Sequence, residues 1–256
     1  MHNFQPKTLF LGKKTIYLPS CHSTNDIAAE IIQNKQVFDG TIVITSDQTA
    51  GRGQRGNSWE ALPGQNITAS FILKPAFLSA TEQFRLNIAI SLGIYEFLSQ
   101  YLPNNLKVKW PNDIYVGDRK MGGVLIENTL FGSRIAYSVI GIGLNINQLS
   151  FAETNNRAIS LRLATQNLGE FDIEKLIGEL CVSLEKYYLQ LKNGHYSKQK
   201  ETYLEILYRY QETHFFSKNG ERFLGKIIDI APTGHLIMSV NGEIEFFDFK
   251  EISFEI

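Results

Sequence analysis

The chain has 256 residues, 43% of them hydrophobic and 20% charged, with a formal net charge of −1. That suffices for a sizeable core in one large or two modest domains, and it excludes a generally basic nucleic-acid or membrane-surface binder. Cys21 and Cys181 lie far apart with no CxxC pair, which excludes a disulfide framework and a cysteine zinc site.

The N-terminal stretch "MHNFQPKTLFLGKKTIYLP" lacks the apolar segment of a signal peptide. No run of about 18 apolar residues follows, so a cytoplasmic protein without a membrane segment is expected. "STNDIAAEIIQN" offers a cap at Ser23 or Thr24 and apolar Ile27, Ile31 and Ile32, which predicts a short amphipathic helix. "TIVITSD" is β-branched and reads as a strand, and "NITASFILKP" reads as a second strand ended by Pro75. A long, mostly apolar helix is predicted over 81–102 with its cap at Thr81 or nearby.

"LKVKW", "DIYV", "MGGVLIEN" and "IAYSVIGIGLNIN" then read as successive strands. Helical periodicity returns over 171–194, ending at Gly194, with a further helical stretch to about Tyr210. From Glu221 the pattern changes to short strands with turns at "APTG" and "VNGE". Strands grouped around one long helix predict an α+β fold rather than alternating βαβ units. The expected organisation is a first domain over 1–217 and a small β-barrel over 218–256, with the break in the polar "SKNG".

Between the first two predicted strands lies "GRGQRG", residues 51 to 56. Its glycines have the spacing of a dinucleotide fingerprint, but that motif needs a helix directly after it and an acidic residue about 20 positions on. Here Pro63 and Gly64 preclude the helix and no acid follows at that distance. Walker A, protein-kinase and serine-hydrolase motifs are missing, and the five histidines are scattered rather than paired at metal spacing. What remains is a glycine-rich loop with Arg52 and Arg55, suited to cradling a carboxylate or phosphate. A solvated hairpin tip is the plain alternative.

Further clusters favour an anion site. "KVKWPND" sets Lys107 and Lys109 on one strand face, then Trp110, Pro111, Asn112 and Asp113. Asp113 suits a Mg²⁺ ligand in a polyphosphate site, or else a turn cap. "DRKMGGVLIE" brings Lys120 ahead of two glycines that permit close ligand approach, unless that lysine merely faces solvent in a turn. "GIGLNIN" places Gly141, Gly143 and Asn145 where only small residues face the opposite surface, as a bulge or close sheet contact would also do. Cys21, two residues before Ser23, reads as a small buried thiol. Aromatic stretches such as "EKYYLQLKNGHY" read as core.

Together "STN", "QTAGRGQRGNSW", "KWPNDIY", "RKMGGVLIE" and "GIGLNIN", in this order, resemble the biotin protein ligases, and the similarity covers nearly the whole chain. The resemblance implies a mixed α/β catalytic domain, shared with lipoate ligases, followed by an SH3-like barrel. It implies activation of biotin by ATP to biotinyl-5′-AMP, then transfer to a lysine of a biotin carboxyl carrier domain, as in acetyl-CoA carboxylase. On that match Ser23, Thr24, Asn25, Gln48, Gly51, Arg52, Gly53, Gln54, Lys120, Gly123 and Gly141 bind biotin. Arg52, Arg55, Trp59, Asn112, Asp113, Lys120 and Asn145 bind ATP. Lys120, Arg52 and Asp113 carry the chemistry, Asp113 with Mg²⁺. No other cofactor is expected, and an exposed strand of the sheet could form a homodimer.

The family loop commonly reads GRGRxGR, and Gln54 and Asn57 stand here where it has two further arginines. Less charge at the phosphate predicts looser retention of the adenylate. About 22 residues precede "STN", whereas a three-helix DNA reader needs roughly 50–60, so a ligase without repressor activity and without a nucleic-acid partner is expected. The competing readings are a lipoate-type ligase on the same fold and a non-catalytic biotin- or nucleotide-binding module.

Overall fold

A computed structural model describes residues 5–34, 37–102, 104–152, 157–249 and 251–255, and of Arg55 only the backbone. The predicted mixed sheet with packed helices is present. Seven strands run in the order β1-β2-β3-β7-β6-β5-β4, comprising β1 (Thr15–Cys21), β2 (Thr41–Gln48), β3 (Asn66–Leu73), β4 (Leu106–Lys109), β5 (Asp113–Val116), β6 (Arg119–Phe131) and β7 (Arg134–Asn145). β1 pairs parallel with β2, and every other neighbour is antiparallel.

The parallel pair is joined by α1 (Thr24–Gln33), so one βαβ unit opens the chain. Its first strand, β1, carries no sequence expectation: "TIYLPSC" contains Pro19 and mixes exposed with half-buried positions, as an edge strand does. α1 begins at Ser23, whose hydroxyl accepts from the Asp26 amide at 3.4 Å. The long helix α2 runs Phe84–Ser99 and is led in by a 3₁₀ turn. The cap there is Ser79, which with Glu82 forms a capping box, close to the expected position at or near Thr81. α3 (Leu161–Thr165), α4 (Ile173–Lys192) and α5 (Tyr196–Ile206) follow, the last ending four residues before the expected Tyr210.

Period-two alternation gives the sheet two different faces. Phe71, Ile140, Ile142 and Leu144 point to the side covered by α2, α4 and α5, where the main core lies. The other side packs Val43, Ile72 and Val139 against Ala28 of α1. α1 is short, so beyond its N-terminus that face is left for a cavity.

The C-terminal strands β8 (Thr213–Lys218), β9 (Glu221–Ile230), β10 (Leu236–Val240), β11 (Glu243–Phe247) and β12 (Ser253–Phe254) form an antiparallel sheet in the order β11-β10-β9-β8-β12. This is the expected small β unit, but its first strand starts at Thr213, so a break at 217/218 cuts β8. "THFFSK" joins the second sheet through Phe216, buried in the core with Phe247. Trp110 docks the unit: its indole N–H donates to the Gly234 carbonyl at 2.9 Å, and its ring lies 5.3 Å from Phe249. Among the described residues no helix is long and apolar enough to cross a membrane.

Candidate active site

Five strands present one row of residues to the face beside α1. Register pairs Thr68 with Gly143, Gly143 with Gly123, Gly123 with Asp113, and Asp113 with Lys109. The centre of the row is therefore a floor of two glycines, with charged groups toward β4. A cavity of about 820 Å³ stands on it, walled by the start of α1, the loop after β2, the "KWPND" turn and Ile252–Phe254 of the C-terminal unit.

The α1 end is a closed hydrogen-bond network. Gln48 Oε1 accepts from the Thr24 amide at 2.9 Å and from its hydroxyl at 3.3 Å. Ser70 Oγ lies 2.7 Å from Thr24 Oγ1 and 2.6 Å from Asn25 Oδ1. Asn25 Nδ2 donates to Glu127 Oε2 at 2.8 Å. Gly141 lies directly under the Asn25 amide: any Cβ there would collide with Asn25 Oδ1.

Arg52 closes the network from above. Its guanidinium donates to both Glu127 oxygens, at 2.9 and 2.7 Å, and reaches Asp26 at 2.7 Å. The Glu127 hydrogen bond holds the Arg52 pKa above its usual range. The sequence reading made Arg52 a source of positive charge for a ligand. Here two carboxylates pair with it, and the pairing ties the loop after β2 to α1 and β6. Behind it, the bridge between Arg52 and Ser58 and the Gly53 amide donating to the Asn57 carbonyl shape the loop around a 3₁₀ turn, Gln54–Gly56.

At mid-floor, Lys120 Nζ pairs with Asp113 Oδ1 at 2.7 Å. Lys120 is the second residue of β6, not a turn lysine, and its backbone is pinned by the Arg157 carbonyl and the Ile159 amide at 2.7 and 2.9 Å. Gly123 leaves room for the pair, since a Cβ there would stand 3.2 Å from Asp113 Oδ1 and 3.6 Å from Lys120 Nζ. Asn112 turns its amide to the Val124 carbonyl, which anchors the "KWPND" turn to β6.

The remaining end is less satisfied. The Trp59 indole covers Gly143, where a Cβ would come within 2.7 Å of Trp59 Cζ2. Among the described residues its buried Nε1 has no hydrogen-bond partner, and neither has Asn145 Oδ1, although Asn145 Nδ2 donates to the Ile159 carbonyl at 3.3 Å. Lys109 closes the row, half-buried between aromatic faces. Burial, with Lys120, Arg209 and Arg157, pushes its ammonium down to about 8 against the pull of Asp113.

The sequence-predicted Ser23, Thr24, Asn25, Gln48, Arg52, Gly53, Gln54, Trp59, Asn112, Asp113, Lys120, Gly123, Gly141 and Asn145 thus all line one cavity. Gly51 does not; it packs behind the wall, where a Cβ would lie 2.5 Å from Gln48 Nε2. The Arg55 side chain lies outside the described part. Thr68, Ser70, Glu127 and Asp26 were missed. Asn66, Thr68 and Ser70 alternate along an otherwise apolar strand, and that period-two polarity is the signal that could have revealed the face.

Residues 17–145 match the biotin/lipoate A/B protein ligase family. The chain belongs to that family. A bifunctional ligase/repressor BirA of Bacillus spizizenii is 32% identical over 189 residues, 72% of this chain and 57% of that protein. A biotin–protein ligase of Homo sapiens is 29% identical over 253 residues, covering 94% of this chain and 34% of the human one. The chain therefore spans only part of these relatives' length. A biotin protein ligase from Aquifex aeolicus, solved in complex with biotin and ATP, has the same fold: TM-score 0.78 at 23% identity, over 95% of this chain and 99% of that one.

Proposed function

We propose that this family member is an ATP-dependent biotin–protein ligase. It would join biotin to AMP with release of pyrophosphate, then pass the biotinyl group to a lysine of a biotin carboxyl carrier domain with release of AMP. The observation that carries the reading is the Lys120–Asp113 pair on a glycine floor, between a hydrogen-bonding pocket whose charges are paired with one another and a half where, among the described residues, Trp59 Nε1 and Asn145 Oδ1 have no partner. The names and bound ligands of the relatives agree with it.

In this reading Thr24, Asn25 and Gln48 accept and donate to the ureido ring, Ser23 shapes the helix start, and Gly141 leaves the room in which the Asn25 amide is held for that ring. Arg52 clasps the loop shut, with Gly53 and Gln54 over the acyl chain. Lys120 offsets the repulsion between the biotin carboxylate and the α-phosphate, and stabilises charge that grows as they join. Trp59 and Asn145 face the base, and Asn112 holds the phosphate turn. A Mg²⁺ accompanying ATP fits the donor set if Asp113 is its one protein carboxylate and the phosphates supply further oxygens, since Mg²⁺ is commonly held that way. Among the described residues no cluster of three His, Cys, Asp or Glu offers a dedicated metal cage. The ion would neutralise phosphate charge.

The test is exchange of labelled pyrophosphate into ATP with biotin, with lipoate and with neither. Exchange with biotin alone is expected. Exchange with lipoate instead would move the substrate to the other branch of the family, and no exchange from folded protein would leave a binding module.

A further inference from the structure

Behind the α1 end of the cavity sits a hydroxyl that does not line it. Ser70 of β3 is fully buried and reaches Thr24 Oγ1 at 2.7 Å and Asn25 Oδ1 at 2.6 Å. A serine has one proton to give, and its neighbours fix which oxygen receives it.

The sequence of choices starts at Glu127. Its carboxylate, held by both Arg52 nitrogens at 2.9 and 2.7 Å, can only accept, and so can the Leu125 carbonyl. The Asn25 amide therefore turns Nδ2 toward them, at 2.8 and 3.4 Å, which leaves Oδ1 facing Ser70. An amide oxygen cannot donate, so this contact takes the Ser70 proton. The 2.7 Å contact between the two hydroxyls then needs the proton of Thr24. Gln48 Oε1 is the more distant acceptor, 3.3 Å from Thr24 Oγ1, and already receives the Thr24 amide at 2.9 Å. The hydrogen bonds thus run one way, from Thr24 to Ser70 to Asn25 to Glu127. Thr24 lines the cavity with its proton committed inward, so its hydroxyl meets a ligand as an acceptor.

We infer that Ser70 is a positioning residue that makes this pocket selective for a ring N–H. It carries the influence of the Glu127 carboxylate to Thr24 and keeps Thr24 from donating. The inference rests on the ligase reading and deepens it. A ureido ring offers N–H groups and a dithiolane offers none, and two acceptors brought face to face in a buried site lose affinity.

The test is calorimetric binding of biotin and of the two cyclic carbamates in which one ureido N–H is replaced by a ring oxygen. The proteins are the full wild-type chain, Ser70→Ala and Glu127→Gln. Wild type should bind one of the carbamates about 10²-fold more weakly than biotin. Ser70→Ala frees the Thr24 proton to turn to the ring oxygen and should cut that ratio about tenfold. Glu127→Gln lets the Asn25 amide turn over and the chain run either way, so the ratio should fall a few-fold with Ser70 intact. A merely structural Ser70 would weaken all the ligands alike and leave the ratio where it was. An unchanged ratio in Glu127→Gln, or in Ser70→Ala where that variant folds, overturns the inference. Wild type that binds biotin and both carbamates equally overturns it too and leaves the ligase reading standing. Wild type that binds no biotin overturns both.

Discussion

The two ends of the cavity differ in how completely their polar groups are paired. At the α1 end, Thr24, Asn25, Gln48, Ser70, Glu127 and Arg52 satisfy one another. At the other, among the described residues, Trp59 Nε1 and Asn145 Oδ1 are buried without partners, and Lys109 has one acceptor for its ammonium. Leaving a buried donor or acceptor unpaired costs about 1–3 kcal/mol, so that end gains free energy from a ligand that completes it. The first end can orient a neutral ring through groups already in place; the second is built to be finished by its ligand. Binding of the two substrates should therefore separate cleanly by mutation.

The largest effect is expected where the ends meet. Lys120→Ala removes the cation between carboxylate and phosphate and should slow adenylation by about 10²–10³, as loss of one preorganised charge-stabilising donor does. The Lys120–Asp113 pair is partly exposed, at 34% and 23%, so stability should fall by about 1 kcal/mol or less. Thermal unfolding beside single-turnover kinetics would check both. Nearly full activity would place the reacting atoms elsewhere.

Next come two glycines that face opposite ends. Gly143→Ala would drive a Cβ into the Trp59 indole, within 2.8 Å of Nε1, so the ring must shift. ATP affinity should drop about tenfold, on the scale of a lost stacking or cation-binding contact, with biotin affinity nearly constant. Gly141→Ala would displace the Asn25 amide, which holds both Ser70 and Glu127. Here the loss of about tenfold should fall on biotin instead. Titrations in which each variant loses both ligands alike would end the distinction between the two ends.

Much of this arrangement was legible because it is local. β-branched runs, the Ser23 cap and the Pro75 stop are read within a few residues, and the family motifs sit on the strand ends and turns that line the cavity. What escaped depends on pairing. Asn66, Thr68 and Ser70 acquire meaning only once β3 is aligned with β7. Arg52 looked like a free cation because Glu127, its partner, is 75 positions away. Lys109 looked like half of a basic pair with Lys107, but Lys107 reaches out to the Glu205 carbonyl while Lys109 is enclosed by Tyr115 and Phe254. β1 escaped because its proline and exposed positions give an edge strand no apolar alternation. The start of the C-terminal sheet at Thr213 escaped because the polar "SKNG" marks its first turn rather than its border.

A smaller effect should follow from loosening the clasp. Glu127→Gln keeps the shape and removes the charge that Arg52 and Asn25 share. Exposed ion pairs contribute about 1 kcal/mol or less, so biotin should bind and leave only a few-fold faster, most visibly at low salt. An unchanged dissociation rate in stopped flow would mean that the loop does not need Glu127 to stay shut.

The smallest effect concerns Gln54, which lines the cavity in the 3₁₀ turn beside the clasp. A charge added there has no carboxylate already committed to it, unlike the charge at Arg52. Gln54→Arg should therefore act on the phosphate of the bound adenylate and lengthen its lifetime a few-fold, about 0.5–1 kcal/mol for a solvent-accessible pair. Gln54→Met, of similar length and uncharged, should not. Because the group is only half-buried, the gain should shrink as salt rises past the physiological range, where the screening length is about 8 Å. Equal lifetimes for all three proteins at low salt would mean that the loop contributes closure alone, with the phosphate held entirely by the lysines of the strands.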